Sequence, residues 1–150
     1  MIGRHLFDLV IEGSSPIYCP DVGAGAIYIG SVTGGRFEGE RIAGEVLPAG
    51  GDWARVAPCG AARLDVKLML RTDRGELFSM MYSGRMHGPG ETLQRLGSGG
   101  KVDPSEYYMR IAPVFEAHAA DLSWLDCILA VGTGEVIGPG KLRYKVMEVD

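Results

Sequence analysis

The segment from Ala62 to Ser83 constrains the fold more than any other part of the chain. Leu64, Val66, Leu68 and Leu70 alternate with Arg63, Asp65, Lys67, Met69 and Arg71. A period of two makes a one-sided apolar surface only in an extended strand. Thr72-Asp73-Arg74-Gly75 then has hairpin-turn chemistry, because Asp and Gly supply local bonding and positive φ. Glu76 to Ser83 returns with Phe78, Met80 and Tyr82 on one face. Such a hairpin needs further strands to cover its apolar side.

Other segments supply them. Leu6 to Ile11 reads as a first strand and Gly13 to Pro20 as a turn-rich link. Ala26 to Ile29 begins a second strand, and Val32 to Gly39 continues it through a bulge. Ile42 to Leu47 is a short strand, Pro48 to Gly51 a loop, and Asp52 to Val56 follows it. Gly90 to Leu96 is the one credible helix, ended by Gly97. Tyr107 to Ile111, Asp126 to Val131 and Leu142 to Val149 are the late strands, with a break at Gly132-Thr133-Gly134 and a turn at Gly138-Pro139-Gly140. Pro113 to Ala120 is ambiguous, and Leu122 to Leu125 is a single helical turn. The 23 glycines follow no collagen period, so they mark turns and bulges. The expectation is one all-β domain over residues 1–150. It is a small antiparallel barrel with one short helix, since closure removes exposed edges, and such a barrel can hold one ligand.

Several function classes are disfavoured. The net charge of −4 and the scattered Lys and Arg argue against nucleic acid. No apolar run reaches the length of a membrane helix, and Met1 to Asp8 has no signal-peptide h-region, so the chain reads as cytoplasmic. Cys19, Cys59 and Cys127 are odd in number and far apart, which fits reduced thiols. Gly99-Gly100-Lys101 is followed by Val102, where a phosphate loop needs a hydroxyl. No nucleophile elbow and no dinucleotide fingerprint is present. His5, His87 and His118 lack metal-pair spacing. No metal and no cofactor are therefore expected.

The remaining candidates are carboxylates, tyrosines and one arginine on strands. If the leucine face packs outward, Asp65 points inward beside Lys67 as a general base; otherwise it is a solvated strand residue. Tyr82 is a candidate acid or oxyanion donor, or a core tyrosine with its hydroxyl at the rim. Arg110 is a candidate carboxylate or enolate anchor, or a partner of Glu106 or Asp103. Asp126 is a candidate acid–base group opening a strand. His87, in a Gly/Pro loop, is a candidate proton shuttle, or a surface-exposed histidine with no role. Trp53, Phe78, Met80, Tyr107 and Trp124 are candidate pocket walls. Asp52 reads as a structural residue that fixes its loop.

The stretch from Gly84 to Arg110 is the most family-specific text. With Gly34 to Gly39, Val46-Leu47-Pro48, Gly51-Asp52-Trp53, Val102 to Tyr108, Phe115-Glu116 and Trp124-Leu125, it resembles the domain of unknown function 3237 family, also called the UPF0311 proteins. The resemblance spans nearly the whole chain. It implies a calycin-like β-barrel, often a homo-oligomer, and no settled catalytic set. Against that family's pattern, Tyr82 and Asp126 stand where Asn is usual, and Ile111 where a hydroxyl is usual. A pocket altered for one substrate follows if Tyr82 and Asp126 share a cavity.

The reading that results is a pathway enzyme acting on a small, apolar, oxygenated metabolite. Side chains would drive cofactor-independent cyclisation, isomerisation, elimination or hydration. The alternatives are a non-catalytic carrier barrel and a filled structural barrel.

Overall fold

The structure is a computed structural model that describes residues 3–150. Met1 and Ile2, part of the N-terminal segment read above, lie outside the described residues. The strands are β1 (Gly3–Gly13), β2 (Ile17–Cys19), β3 (Ile27–Glu38), β4 (Ala43–Val56), β5 (Ala62–Thr72), β6 (Leu77–His87), β7 (Tyr108–Ala117), β8 (Ala130–Gly138) and β9 (Lys141–Val149). Helix α1 (Gly90–Gly97) and two short 3-10 segments, Pro104–Glu106 and Ala120–Cys127, complete the chain.

All pairings are antiparallel, and the order runs β1-β9-β8-β7-β6-β5-β4-β3 before β3 pairs back to β1. Eight strands thus close a barrel. β2 prolongs the β1 line along the same edge of β3, with Ile17 opposite Ile29 and Cys19 opposite Ile27. The bulge expected in the Val32 to Gly39 segment is present: the β3–β4 register shifts between Ser31 and Arg36, across the pair Gly34 and Gly35. Gly35 sits there at φ 146°, and a Cβ on it would stand 2.0 Å from the Val10 carbonyl oxygen. Only glycine permits both that conformation and that approach.

Three local readings are corrected. The segment from Ile42 to Val56 is not a strand, a loop and a strand: from Ala43 onward it is one 14-residue strand, β4, bulged between Val46 and Gly50. Pro48 is tolerated because it sits at the bulge. Gly132-Thr133-Gly134 lies inside β8 rather than breaking it. A Cβ at Gly134 would meet the Tyr144 ring at 2.5 Å, so this glycine makes room for an interior tyrosine. Asp126 belongs to a 3-10 segment, and β8 begins at Ala130.

The leucine face of β5 points inward: Leu64, Val66, Leu68 and Leu70 are buried. A barrel this narrow is filled by its inward side chains. One end is sealed by all four phenylalanines of the chain. Phe7, Phe37, Phe78 and Phe115 form a closed ring of edge-to-face neighbours with centroids 5.4–6.2 Å apart. Leu122 and Leu125 of the second 3-10 segment are buried in the same core. No helix among the described residues is long and apolar enough to cross a membrane.

Phe78 has no exposed surface and touches two other rings of the seal. Phe78→Ala should therefore destabilise the barrel by about 3–5 kcal/mol, the usual range for a buried aromatic reduced to Ala. Equilibrium urea unfolding checks this, and a loss under about 1 kcal/mol would contradict a continuous seal.

Candidate functional site

The opposite end of the barrel is open. A cavity of about 260 Å³ enters there, between the β8–β9 turn and the link from β1 to β2. Ile11, Val32, Ala54, Val66, Val136 and Leu142 give it apolar walls; Tyr28, Ser31, Asp52 and Tyr82 supply polar groups, with Ser14 and Lys141 at its mouth. Drug-sized sites run to about 300–1,000 Å³, so this one suits a smaller molecule.

The register explains how Asp52 and Tyr82 come to face one space. Gly30, Asp52, Val66, Tyr82 and Pro113 lie directly opposite one another on β3, β4, β5, β6 and β7. Residues in one such row share a side of the sheet, so all point into the barrel. Along β6 the inward residues descend from Tyr82 through Met80 to Phe78, from cavity to core to seal.

Asp52 is held in place by the Asp65 N–H, which donates to its Oδ1 at 3.1 Å. Burial pushes its pKa up to about 6; the Asp65 amide opposes the shift, and the Asp65 charge adds to it. Tyr82 is buried, and its phenol is driven well above its ordinary value. Burial is the main cause, with Tyr144 and the Asp52 charge adding to it. Tyr144 stands edge-on to Tyr82, with centroids 5.4 Å apart. Its hydroxyl is buried without a hydrogen-bond partner among the described residues, and burial raises its pKa too. One carboxyl that titrates near neutrality thus stands among phenols that stay protonated.

The residues predicted from sequence divide sharply. Tyr82 lines the cavity and Met80 lies below it in the core; Phe78 belongs to the seal rather than to a cavity wall. Tyr107 is buried near the start of β7, where its hydroxyl accepts the Val136 N–H at 2.9 Å. It clamps β7 to β8 and does not line the cavity. Asp65 points outward, because the apolar residues that alternate with it fill the barrel; it shares a surface depression with Trp53 and Lys67. Trp53 is 60% exposed. Arg110 is also outside, donating to the Met109 carbonyl oxygen at 2.9 Å with its guanidinium 4.8 Å over the Tyr108 ring. It has no ion pair with Glu106, which Arg95 takes at 3.0 Å. His87 is exposed and stacks on Tyr108.

Asp126 is exposed at the sealed end and accepts the Ala117 N–H at 2.8 Å. Trp124 is at that end too, under the Arg41 guanidinium at 4.2 Å. Tyr82 and Asp126 therefore share no cavity, and the two-position pocket alteration inferred from the resemblance is withdrawn. Ile111 is buried and fills space left by Gly84 and Gly132. Sequence reasoning missed Asp52 as a cavity residue. The signal was its spacing: Asp52 and Ala54 alternate with Trp53 and Arg55, and only the bulge upstream hid the phase.

The chain belongs to the family described as "Protein of unknown function (DUF3237)", whose model matches residues 3–149. A UPF0311 protein of Rhodopseudomonas palustris is 35% identical over 130 residues, covering 87% of this chain and 85% of the relative. The crystal structure of a conserved protein of unknown function from the same species superposes with a TM-score of 0.93 at 29% identity. It covers 99% of this chain and 97% of that one. The crystal structure of an enzyme from Penicillium herquei shares the fold, with a TM-score of 0.70 at 18% identity, covering 97% of this chain and 92% of that one.

Because the folded Asp52 binds its proton more tightly than an unfolded aspartate, its contribution to stability is largest below about pH 4. That contribution is lost as pH rises through about 6. Measured against Asp52→Asn, the wild type should lose about 2–3 kcal/mol between pH 4 and 7, by thermal or urea unfolding. A gap that stays constant, or that grows in favour of the wild type, would contradict the raised pKa.

Proposed function

We propose that the protein is an enzyme that binds a small, largely apolar, oxygenated metabolite in the open end of the barrel. It moves a proton there between Asp52 and the substrate. The observation that carries this reading is the pairing of Asp52, whose pKa lies near 6, with the buried Tyr82 across one strand. At neutral pH such a carboxyl is mostly ionised yet more basic than an ordinary aspartate, which is what a general base needs. The Tyr82 phenol keeps its proton and so acts as a donor rather than a base.

The chemistry follows from these roles. Asp52 takes a proton from carbon or from a hydroxyl of the substrate. Where a carbonyl accepts the electron pair, Tyr82 donates a hydrogen bond to the developing oxyanion. Return of the proton to a different atom gives an isomer; attack by an internal hydroxyl gives a ring; departure or addition of water gives elimination or hydration. The apolar walls exclude water and hold a flexible substrate folded, which favours ring closure through orientation. The distant structural neighbour described as an enzyme supports a catalytic use of this barrel.

The test is incubation of the purified protein with a metabolite extract, followed by mass spectrometry of both solution and recovered protein. A compound should fall catalytically while an isomer or a water-shifted product rises. Asp52→Asn should slow that turnover by about 10²–10⁴-fold, the range for loss of a general base, while retention of the compound changes little. Tyr82→Phe should also lower turnover more than retention. A compound retained unchanged and in stoichiometric amount would replace this reading with a carrier.

A further inference from the structure

The chain has eleven arginines. Seven of them, Arg4, Arg36, Arg41, Arg71, Arg74, Arg95 and Arg143, have a carboxylate within 4.0 Å. The other four are Arg55, Arg63, Arg85 and Arg110, and these four stand in one row. Arg55 is directly opposite Arg63, Arg63 opposite Arg85, and Arg85 opposite Arg110, on β4, β5, β6 and β7. All four are exposed on the outer wall. Cations that are scattered along the chain are thus aligned across the sheet.

Among the described residues no carboxylate comes within 4.0 Å of any of the four. Arg55, Arg85 and Arg110 donate only to the backbone carbonyl oxygens of Ala24, Gly84 and Met109. Arg63 has no hydrogen-bond partner of its own there. Like charges directly opposite on neighbouring strands destabilise a sheet, and a chain with net charge −4 has carboxylates available to relieve them. The arrangement instead leaves all four guanidiniums without a carboxylate partner, on strands that lie about 4.8 Å apart and span about 14 Å from β4 to β7.

We propose that this row is a binding site for a linear phosphate polyanion lying across β4 to β7. A guanidinium fork matches both phosphate and carboxylate. A carboxylate has two oxygens, and one fork uses both. A phosphate in a chain offers further oxygens and charge to the next guanidinium, so successive phosphates suit a closely spaced row. A phosphodiester backbone and inorganic polyphosphate share this chemistry. The site is on the outer wall and is independent of the cavity chemistry proposed above.

The test is fluorescence anisotropy at low ionic strength with a labelled oligo-dT, with inorganic polyphosphate and poly-glutamate as competitors. The wild type should bind the oligonucleotide, the polyphosphate or both, and bind poly-glutamate more weakly. The oligonucleotide alone assigns a phosphodiester strand, polyphosphate alone the free polymer, and both a site that reads phosphate without regard to source. The double variant Arg63→Gln/Arg85→Gln should weaken binding at least tenfold and lower the slope of log K against log salt by about 1.4, or about 0.7 per lost contact. It should melt at or above the wild-type temperature, because repulsion is relieved. The control Arg4→Gln/Arg74→Gln should bind as the wild type does. Binding of neither phosphate probe, equal binding of poly-glutamate, equal loss in the control, or a lower melting temperature of the row variant would each overturn the proposal.

Discussion

Main-chain pairing between β1 and β3 is the constraint on which the rest of the structure depends. β1 also pairs with β9, so it is the stave that turns an open sheet into a barrel. Without it, β3 and β9 would expose free edges and the apolar inner face would meet water. The seam is tight. Gly35 and Gly39 bring β3 so near that a Cβ on either would stand 2.0 Å from a carbonyl oxygen of β1. Closure then fixes which faces are inside, and with them the surroundings of Asp52, Tyr82 and Tyr144.

Closure also divides the interior into two regions. The phenylalanine ring and the leucines of the second 3-10 segment fill one end, where stability resides. At the other, small residues such as Gly30, Ala54 and Gly138 leave space around polar groups. Low-dielectric walls set how the polar groups in that space titrate. They hold the Asp52 carboxyl near neutrality and keep the neighbouring phenols protonated, with no cationic side chain among the cavity's polar groups except Lys141 at the turn. On the surface, by contrast, seven of the eleven arginines are paired with carboxylates, and the four of the row across β4 to β7 are not.

Much of the fold was legible in the sequence. The alternation of residues 62–71 announced β5, Thr72 to Gly75 the hairpin, the glycine-containing run Val32 to Gly39 a bulged strand, and Gly90 to Gly97 the helix. Local pattern did not reveal phase. Asp65 and Leu64 are equally consistent with either wall until closure dictates that the apolar residues fill the lumen. Asp65 then falls outside, and Asp52, two strand neighbours removed from Tyr82, falls inside. Asp52 was obscured because Pro48 to Gly51 looked like a loop, whereas the bulge carries the strand through and preserves its parity. Trp53, Trp124, Arg110 and Asp126 carry chemically suggestive side chains, but no local signal says which side of a closed sheet they face. The opposed arginines were hidden for the same reason, since register is a property of paired strands.

The central claim is that Asp52 is an interior carboxyl, tuned by burial and open to a ligand. Its most direct test is a carbon-13 NMR titration of the aspartate side-chain carboxyls, with Asp52 assigned by its loss in Asp52→Asn. The Asp52 carbon should titrate with a midpoint of about 6. A midpoint in the ordinary aspartate range, about 3.9, would instead place that carboxyl in water, untouched by burial.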